Sequence, residues 1–194
     1  MSRIERAFCQ SVPWRRFAGG SVLPWTLQGL RPIGRILEIG GGSAAMAAAV
    51  LERHPQVSLT VVDVDPVMVG GAAERLAVFG DRADARQADA TALPFDDASF
   101  DVVLSFVMLH HVGEWEKALR EAARVLTPGG MLVGYDLLGS LPMRVLHRME
   151  GAPHRFATVD QINRVLRELP LVQISTRREF VGLVTLFHGR RATT

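Results

Sequence analysis

From Ile33 onward, short apolar runs alternate with longer segments that are apolar on one side only. Arg35–Ile39, residues 59–64, 100–105 and 131–137 are apolar or β-branched along most of their length; residues 83–88 form a less apolar run of the same size. Continuous runs of this kind are expected of strands buried on both faces, as in a parallel sheet covered by helices. Between them fall an alanine-rich helix over residues 43–54 and a helix from Pro66 to about Phe79, with Asp65 as its cap and Gly70-Gly71 as its weak point. A third helix over residues 114–126 places Trp115, Ala118, Leu119, Ala122 and Leu126 on one face, and Thr127-Pro128-Gly129-Gly130 stops it. A fourth covers residues 159–169, capped by Thr158. The last two runs, residues 171–180 and 181–190, are close enough to pair as an antiparallel hairpin around Gly182. The pattern predicts an α/β fold, a doubly wound and mostly parallel sheet of seven strands closed by that hairpin.

Residues 1–32 stand apart from this rhythm. Trp14, Phe17 and Trp25 sit among prolines and arginines, with a candidate amphipathic helix over residues 2–10. This reads as an N-terminal cap whose aromatics either cover the end of the sheet or wall a substrate pocket. The chain divides into that cap (1–32), a core (33–138) and a substrate-side insertion with the closing hairpin (139–194), within one expected domain of 194 residues.

Composition narrows the classes. A net charge of +2, with the basic residues scattered, gives no case for nucleic acid although the pI is near 9.3. The single cysteine, Cys9, rules out an internal disulfide and suits a reducing compartment. The six histidines show no metal-ligand spacing with it. No apolar run approaches the ~18 residues of a membrane span. Arg15-Arg16 resembles a twin-arginine export signal, but Pro24 and Gln28 break the apolar stretch after it, so a cytoplasmic protein is expected.

The chemistry gathers at the ends of the strands. The first run ends in Glu38, then Gly40-Gly41-Gly42, then the alanine-rich helix. Such a turn lets the chain reverse and lets a ligand lie on the backbone, facing the positive end of a helix. Alone it is a weak fingerprint that a plain packing turn also satisfies. The second run carries Asp63, a little over 20 residues after Gly40, at the distance that suits a carboxylate on a ribose diol. Asp89 and Ala90 follow the third run, Ser105 ends the fourth, and Tyr135 and Asp136 the fifth. Together they imply a nucleoside-like ligand.

The succession Leu37-Glu38-Ile39-Gly40-Gly41-Gly42-Ser43, Val62-Asp63-Val64-Asp65-Pro66-Val67-Met68, Ala88-Asp89-Ala90-Thr91-Ala92-Leu93-Pro94-Phe95, Phe100-Asp101-Val102-Val103, Leu109-His110-His111-Val112 and Arg124-Val125-Leu126-Thr127-Pro128-Gly129-Gly130 resembles the class I S-adenosylmethionine-dependent methyltransferases. The likeness is greatest to the small-molecule branch that includes ubiquinone and menaquinone enzymes, and it implies a Rossmann-like fold. By that resemblance, Glu38 and Gly40, Gly41 and Gly42 hold the methionine end of S-adenosyl-L-methionine, and Asp63 binds its ribose. Val64 and Met68 flank the adenine, Asp89 and the Ala90 N–H read its edge, and Ser105 lies near the sulfonium. The family often has glycine where Ala44 stands, so a methyl group there is expected to narrow the approach.

The implied reaction is in-line methyl transfer to a small, partly hydrophobic acceptor. His110 and His111 are the candidate general bases, although a pair that merely starts the next helix remains open. Tyr135 and Asp136 are second-rank candidates for lining the acceptor site. Acceptor choice is expected to lie in residues 1–32 and 139–155, through Trp14, Trp25, Leu141, Met143, Leu146 and Met149. Two alternatives stay open: a catalytically silent cofactor-binding subunit, and an NAD(P)-dependent oxidoreductase, which would share the glycine turn and Asp63 but leave Glu38, the Asp89 block and the hairpin unexplained.

Overall fold

The apolar run Arg35–Ile39 forms β1, buried after its first residue, and pairs in parallel with β2 (Ser58–Asp63) on one side and β4 (Phe100–Phe106) on the other. The structure, a computed structural model, describes residues 11–139 and 155–193. The helix expected over residues 2–10, Cys9 and most of the substrate-side insertion lie outside the described residues. β3 (Ala83–Gln87) pairs with β2, and β5 (Leu126–Leu137) with β4, both in parallel. β7 (Val184–Arg191) is antiparallel to β5 and to β6 (Leu171–Glu179). The sheet order is β3-β2-β1-β4-β5-β7-β6, which makes the mostly parallel seven-stranded sheet with a closing antiparallel pair that the pattern leads one to expect. Strand order reverses between β1 and β4, which opens a crevice at their carboxyl ends.

Two cores flank the sheet. On one face α5 (Trp115–Val125) and α6 (Val159–Glu168) cover Leu37, Ile39, Val103, Leu132 and Phe187. On the other, α3 (Ala45–Arg53) and α4 (Pro66–Leu76) cover Ile36, Val61, Val102 and Leu104 together with the N-terminal cap. The cap consists of α1 (Val12–Phe17), a π turn (Ala18–Val22) and α2 (Leu23–Leu27). Trp25 packs against Tyr135 at 5.4 Å and Phe180 at 5.0 Å, and the Thr26 carbonyl accepts a hydrogen bond from His188 Nε2 at 3.0 Å. Of the cap's aromatics, Trp25 therefore covers the carboxyl edge, while Trp14 and Phe17 contact each other at 6.0 Å.

Capping fixes the helix starts as the residue types require. Asp65 Oδ1 accepts from the Val67 N–H at 3.0 Å, and Thr158 and Gln161 form a reciprocal capping box at 3.2 and 2.8 Å. The boundaries that shift do so where the backbone departs from regular geometry. Ala44 adopts a left-handed conformation (φ 57°), so α3 begins at Ala45, not Ser43. α4 gives way at Leu76 to a 3₁₀ turn over Ala77–Arg82. The Thr-Pro-Gly-Gly tract belongs to β5 as a bulge, across which the register jumps from Phe100↔Leu126 to Val102↔Met131.

Candidate active site

The glycine turn lies at the carboxyl end of β1, beside the reversal of strand order. Gly40 and Gly42 have φ of +62° and +53°, and a Cβ on Gly40 would come within 2.6 Å of Met108 Cβ. A Cβ on Gly41 would lie 2.6 Å from Val61 Cγ1, so no side chain fits at either place. Asp63, only 8% exposed at the end of β2, ties this turn down: Oδ2 accepts from the Gly42 N–H and Oδ1 from the Asp65 N–H, both at 2.9 Å. Burial raises its carboxyl above the usual range, against the lowering effect of those two N–H groups. The residue read from sequence as a ribose ligand thus also holds the turn, and its oxygens keep lone pairs for further donors.

Glu38 is 2% exposed, and burial pushes its carboxyl up to about 8; the Ala47 N–H pulls it down and the neighbouring Asp63 charge pushes it up. Its Oε2 has no hydrogen-bond partner among the described residues. A buried carboxyl left in this condition is costly unless something arrives to meet it. Ala44 is fully buried among the residues packed around α3 and sits in the left-handed region, so its methyl group brings backbone strain to the turn.

On the far side of Asp63, Val64 stands 67% exposed, whereas Met68 is fully buried beneath the turn, its Cε 3.2 Å from where a Cβ added to Gly42 would lie. Asp89 lies in the loop beyond β3; its Oδ1 accepts from both the N–H and the hydroxyl of Thr91 at 2.8 Å, shaping the turn that presents Ala90. That loop is pinned from a distance. Arg124 on α5 reaches the Leu93 and Phe95 carbonyls at 3.0 and 2.8 Å and Asp97 at 2.7 Å, while Glu121 accepts from the Leu93 N–H at 2.8 Å. Arg124 also bonds Glu121 at 2.7 Å through Nη2, which raises the guanidinium pKa further and lowers that of Glu121. The sequence pattern includes Arg124 in a matching block but points to no role for it.

Between β4 and β5 the chain brings His110 and Asp136 together. The histidine pair sits on its own 3₁₀ turn, Leu109–His111, ahead of α5. His110 is 2% exposed, with Nδ1 2.6 Å from Asp136 Oδ1. The same carboxylate accepts from the Leu109 N–H at 2.6 Å and the Leu137 N–H at 2.7 Å. A carboxylate surrounded by donors leaves Nδ1 as the protonated nitrogen and Nε2 as the basic one. The His111 ring lies 4.1 Å from that of His110. Asp136, expected to line an acceptor site, instead orients His110, and Tyr135 points to the opposite face of the sheet, 5.5 Å from Phe106. Ser105 is fully buried in β4, in register with Ile39 and Gly134, and its hydroxyl has no partner among the described residues.

Among the described residues no cluster of His, Cys, Asp and Glu could hold a metal ion, and no helix is long and apolar enough to cross a membrane.

A family profile described as a methyltransferase domain matches residues 37–134, from β1 into β5 and short of Asp136. The chain is 37% identical over 99 residues to a demethylmenaquinone methyltransferase of Thermus thermophilus, covering 51% of this chain and 45% of that protein. It is 39% identical over 111 residues to the 27-O-demethylrifamycin SV methyltransferase of Amycolatopsis mediterranei, covering 56% and 40%. The chain matches less than half the length of these curated relatives. Among solved structures, the YcgJ protein from Bacillus subtilis superimposes with a TM-score of 0.74 at 20% identity, over 91% of this chain and 99% of that one, a likeness of fold.

Proposed function

This chain belongs to the methyltransferase domain family, and on that footing we propose that it transfers a methyl group from S-adenosyl-L-methionine to a small, partly hydrophobic acceptor. The observation that carries the reading is Glu38, a buried carboxyl with an unpartnered oxygen beside a glycine turn that tolerates no side chain. These residues fit the donor's methionine end, whose ammonium suits Glu38 and whose carboxylate suits the N–H groups of the turn and of α3. Asp63 would accept from the ribose hydroxyls, Val64 would border the adenine with Met68 packed beneath the turn, and Asp89 with the Ala90 N–H would read its edge.

The donor, when bound, supplies a methyl group on a positively charged sulfur. The chain's own part is to hold the acceptor in line and remove its proton. His110 Nε2 takes the proton, while Asp136 holds the opposite ring nitrogen and so orients the ring. His111 is the neighbouring candidate, and Ser105, near the end of β4, would lie near the sulfonium. An acceptor with an acidic O–H or N–H suits this pair. Trp25 at the carboxyl edge, and relatives named for demethylmenaquinone and demethylrifamycin, support a small-molecule acceptor over a nucleic acid. The lone cysteine supports a cytoplasmic setting. The oxidoreductase reading explains neither the unpartnered Glu38 nor the hairpin, and no observation favours the silent subunit.

Calorimetric titration with S-adenosyl-L-methionine and its demethylated product tests the donor site, beside Asp63→Asn and Asp63→Ala. Micromolar binding that both variants weaken is expected. No binding by a demonstrably folded protein would overturn the reading.

A further inference from the structure

The short turn that carries His110 is held from outside. Within it the Met108 and Leu109 carbonyls accept from the His111 and Val112 N–H groups at 3.0 and 2.9 Å. The His110 carbonyl instead accepts from the Arg155 N–H, across the crevice side of the fold, at 2.9 Å. Arg155 is itself clasped to α5. Its two terminal nitrogens lie 2.6 Å from the two Glu116 oxygens, Nη1 also reaches the Gly113 carbonyl at 2.9 Å, and the guanidinium sits 5.6 Å over the Trp115 ring. The next residue, Phe156, lays its ring parallel to that of His110, 2° apart in plane and 5.5 Å between centroids. Ala157 is buried in the core, and Thr158 caps α6. This short run thus grips the His110 turn by backbone, the α5 terminus by a bidentate ion pair, the imidazole by its face, and the core by a methyl.

Asp136 fixes one ring nitrogen but does not by itself set the tilt of the imidazole about that contact, and a single 3₁₀ turn is a weak support for a group that must aim its other nitrogen. We propose that Arg155 and Phe156 are positioning residues for His110: the strap 155–157, latched through Glu116, sets the direction in which Nε2 points and keeps the His110–Asp136 contact short. The inference deepens the proposed function and rests on His110 acting as the base. Its test does not depend on that assignment.

The 194-residue chain labelled with ¹⁵N-histidine gives the imidazole N–H protons by NMR. The His110 Nδ1 proton is expected far downfield and protected, and to vanish in Asp136→Asn. In Arg155→Ala and in Phe156→Leu it should exchange roughly tenfold faster or broaden away. Arg155→Lys should rescue it only partly, because an ammonium cannot form the fork. The exchanged pair Arg155→Glu with Glu116→Arg should restore it. Thermal melts show which variants remain folded, and the exchanged pair and Phe156→Leu serve where Arg155→Ala does not. An unprotected Nδ1 proton in the parent protein, or unchanged protection in folded Arg155→Ala and Phe156→Leu, would overturn the proposal. S-adenosyl-L-methionine affinity, measured alongside, should stay within about twofold across these variants. Failure of the parent protein to bind the donor would defeat the proposed function, whereas the NMR protection alone decides whether the strap positions His110.

Discussion

Glu38 keeps its proton in the folded chain through a pH range in which the unfolded chain has lost it. Its carboxyl moves from an ordinary 4.5 to about 8, chiefly by burial. The unfolded state therefore binds fewer protons between those values, and folding stability attributable to this group is fully present below the lower one and declines as pH rises towards the upper. Glu38→Gln removes the titration while preserving shape. It is expected to flatten the stability profile over that window and to gain on the order of 1–3 kcal/mol near its upper end, measured by urea unfolding at several pH values. The same change should weaken donor binding about tenfold or more, since the ammonium loses its counter-charge. Parallel stability profiles for both proteins would mean that Glu38 is ionised throughout. At this scale much of the site was legible: Glu38, the glycines and Asp63 sit in or next to runs that announce strand ends. Their condition was not. Whether a carboxyl is stapled, as in Asp63, or left unpartnered, as in Glu38, depends on N–H groups that arrive from other segments.

Helix α5 acts as a bracket between two loops. Near its start Glu116 latches the strap on His110, and near its end Arg124 with Glu121 pins the loop around residues 93–97. Arg124→Ala removes five hydrogen bonds, three to that loop and two to Glu121, and leaves two carbonyls and two carboxylates to water. Destabilisation of about 1–2 kcal/mol is expected. Donor affinity should fall by about three- to tenfold as the turn presenting Asp89 and Ala90 loosens, with Arg124→Lys close to the alanine variant because it lacks the fork. Calorimetry and urea unfolding separate the two effects; unchanged affinity would show that the loop keeps its shape unaided. The helices themselves were readable from their one-sided apolar stripes and caps. The clamps were not, because residues 93 and 124, or 116 and 155, come together only once α5 is docked on the sheet.

For the molecule as a whole, the cap and the hairpin meet over the carboxyl edge. Trp25 touches Tyr135 of β5 and Phe180 of the β6–β7 turn, and His188 of β7 bonds the Thr26 carbonyl. Trp25→Ala should cost about 2–4 kcal/mol and expose the cap first, seen as earlier proteolysis within residues 11–32 while the sheet still melts cooperatively. Cleavage unchanged in rate would mean that the cap is held elsewhere. The parallel sheet and its closing hairpin were legible because apolar runs alternate with one-sided helices and the last two runs are close enough to pair. The cap's role was not, since aromatics among prolines carry no period to read.

β7 follows β6 in the chain yet lies inside it in the sheet, bonded to β5 along residues 131–137. A ribosome delivering this chain therefore exposes the open flank of β5 until the residues through Arg191 have emerged. Only then can β6, already made, find a place. The nascent sheet carries an unpaired edge until β7 docks, which makes that interval its period of greatest exposure to aggregation.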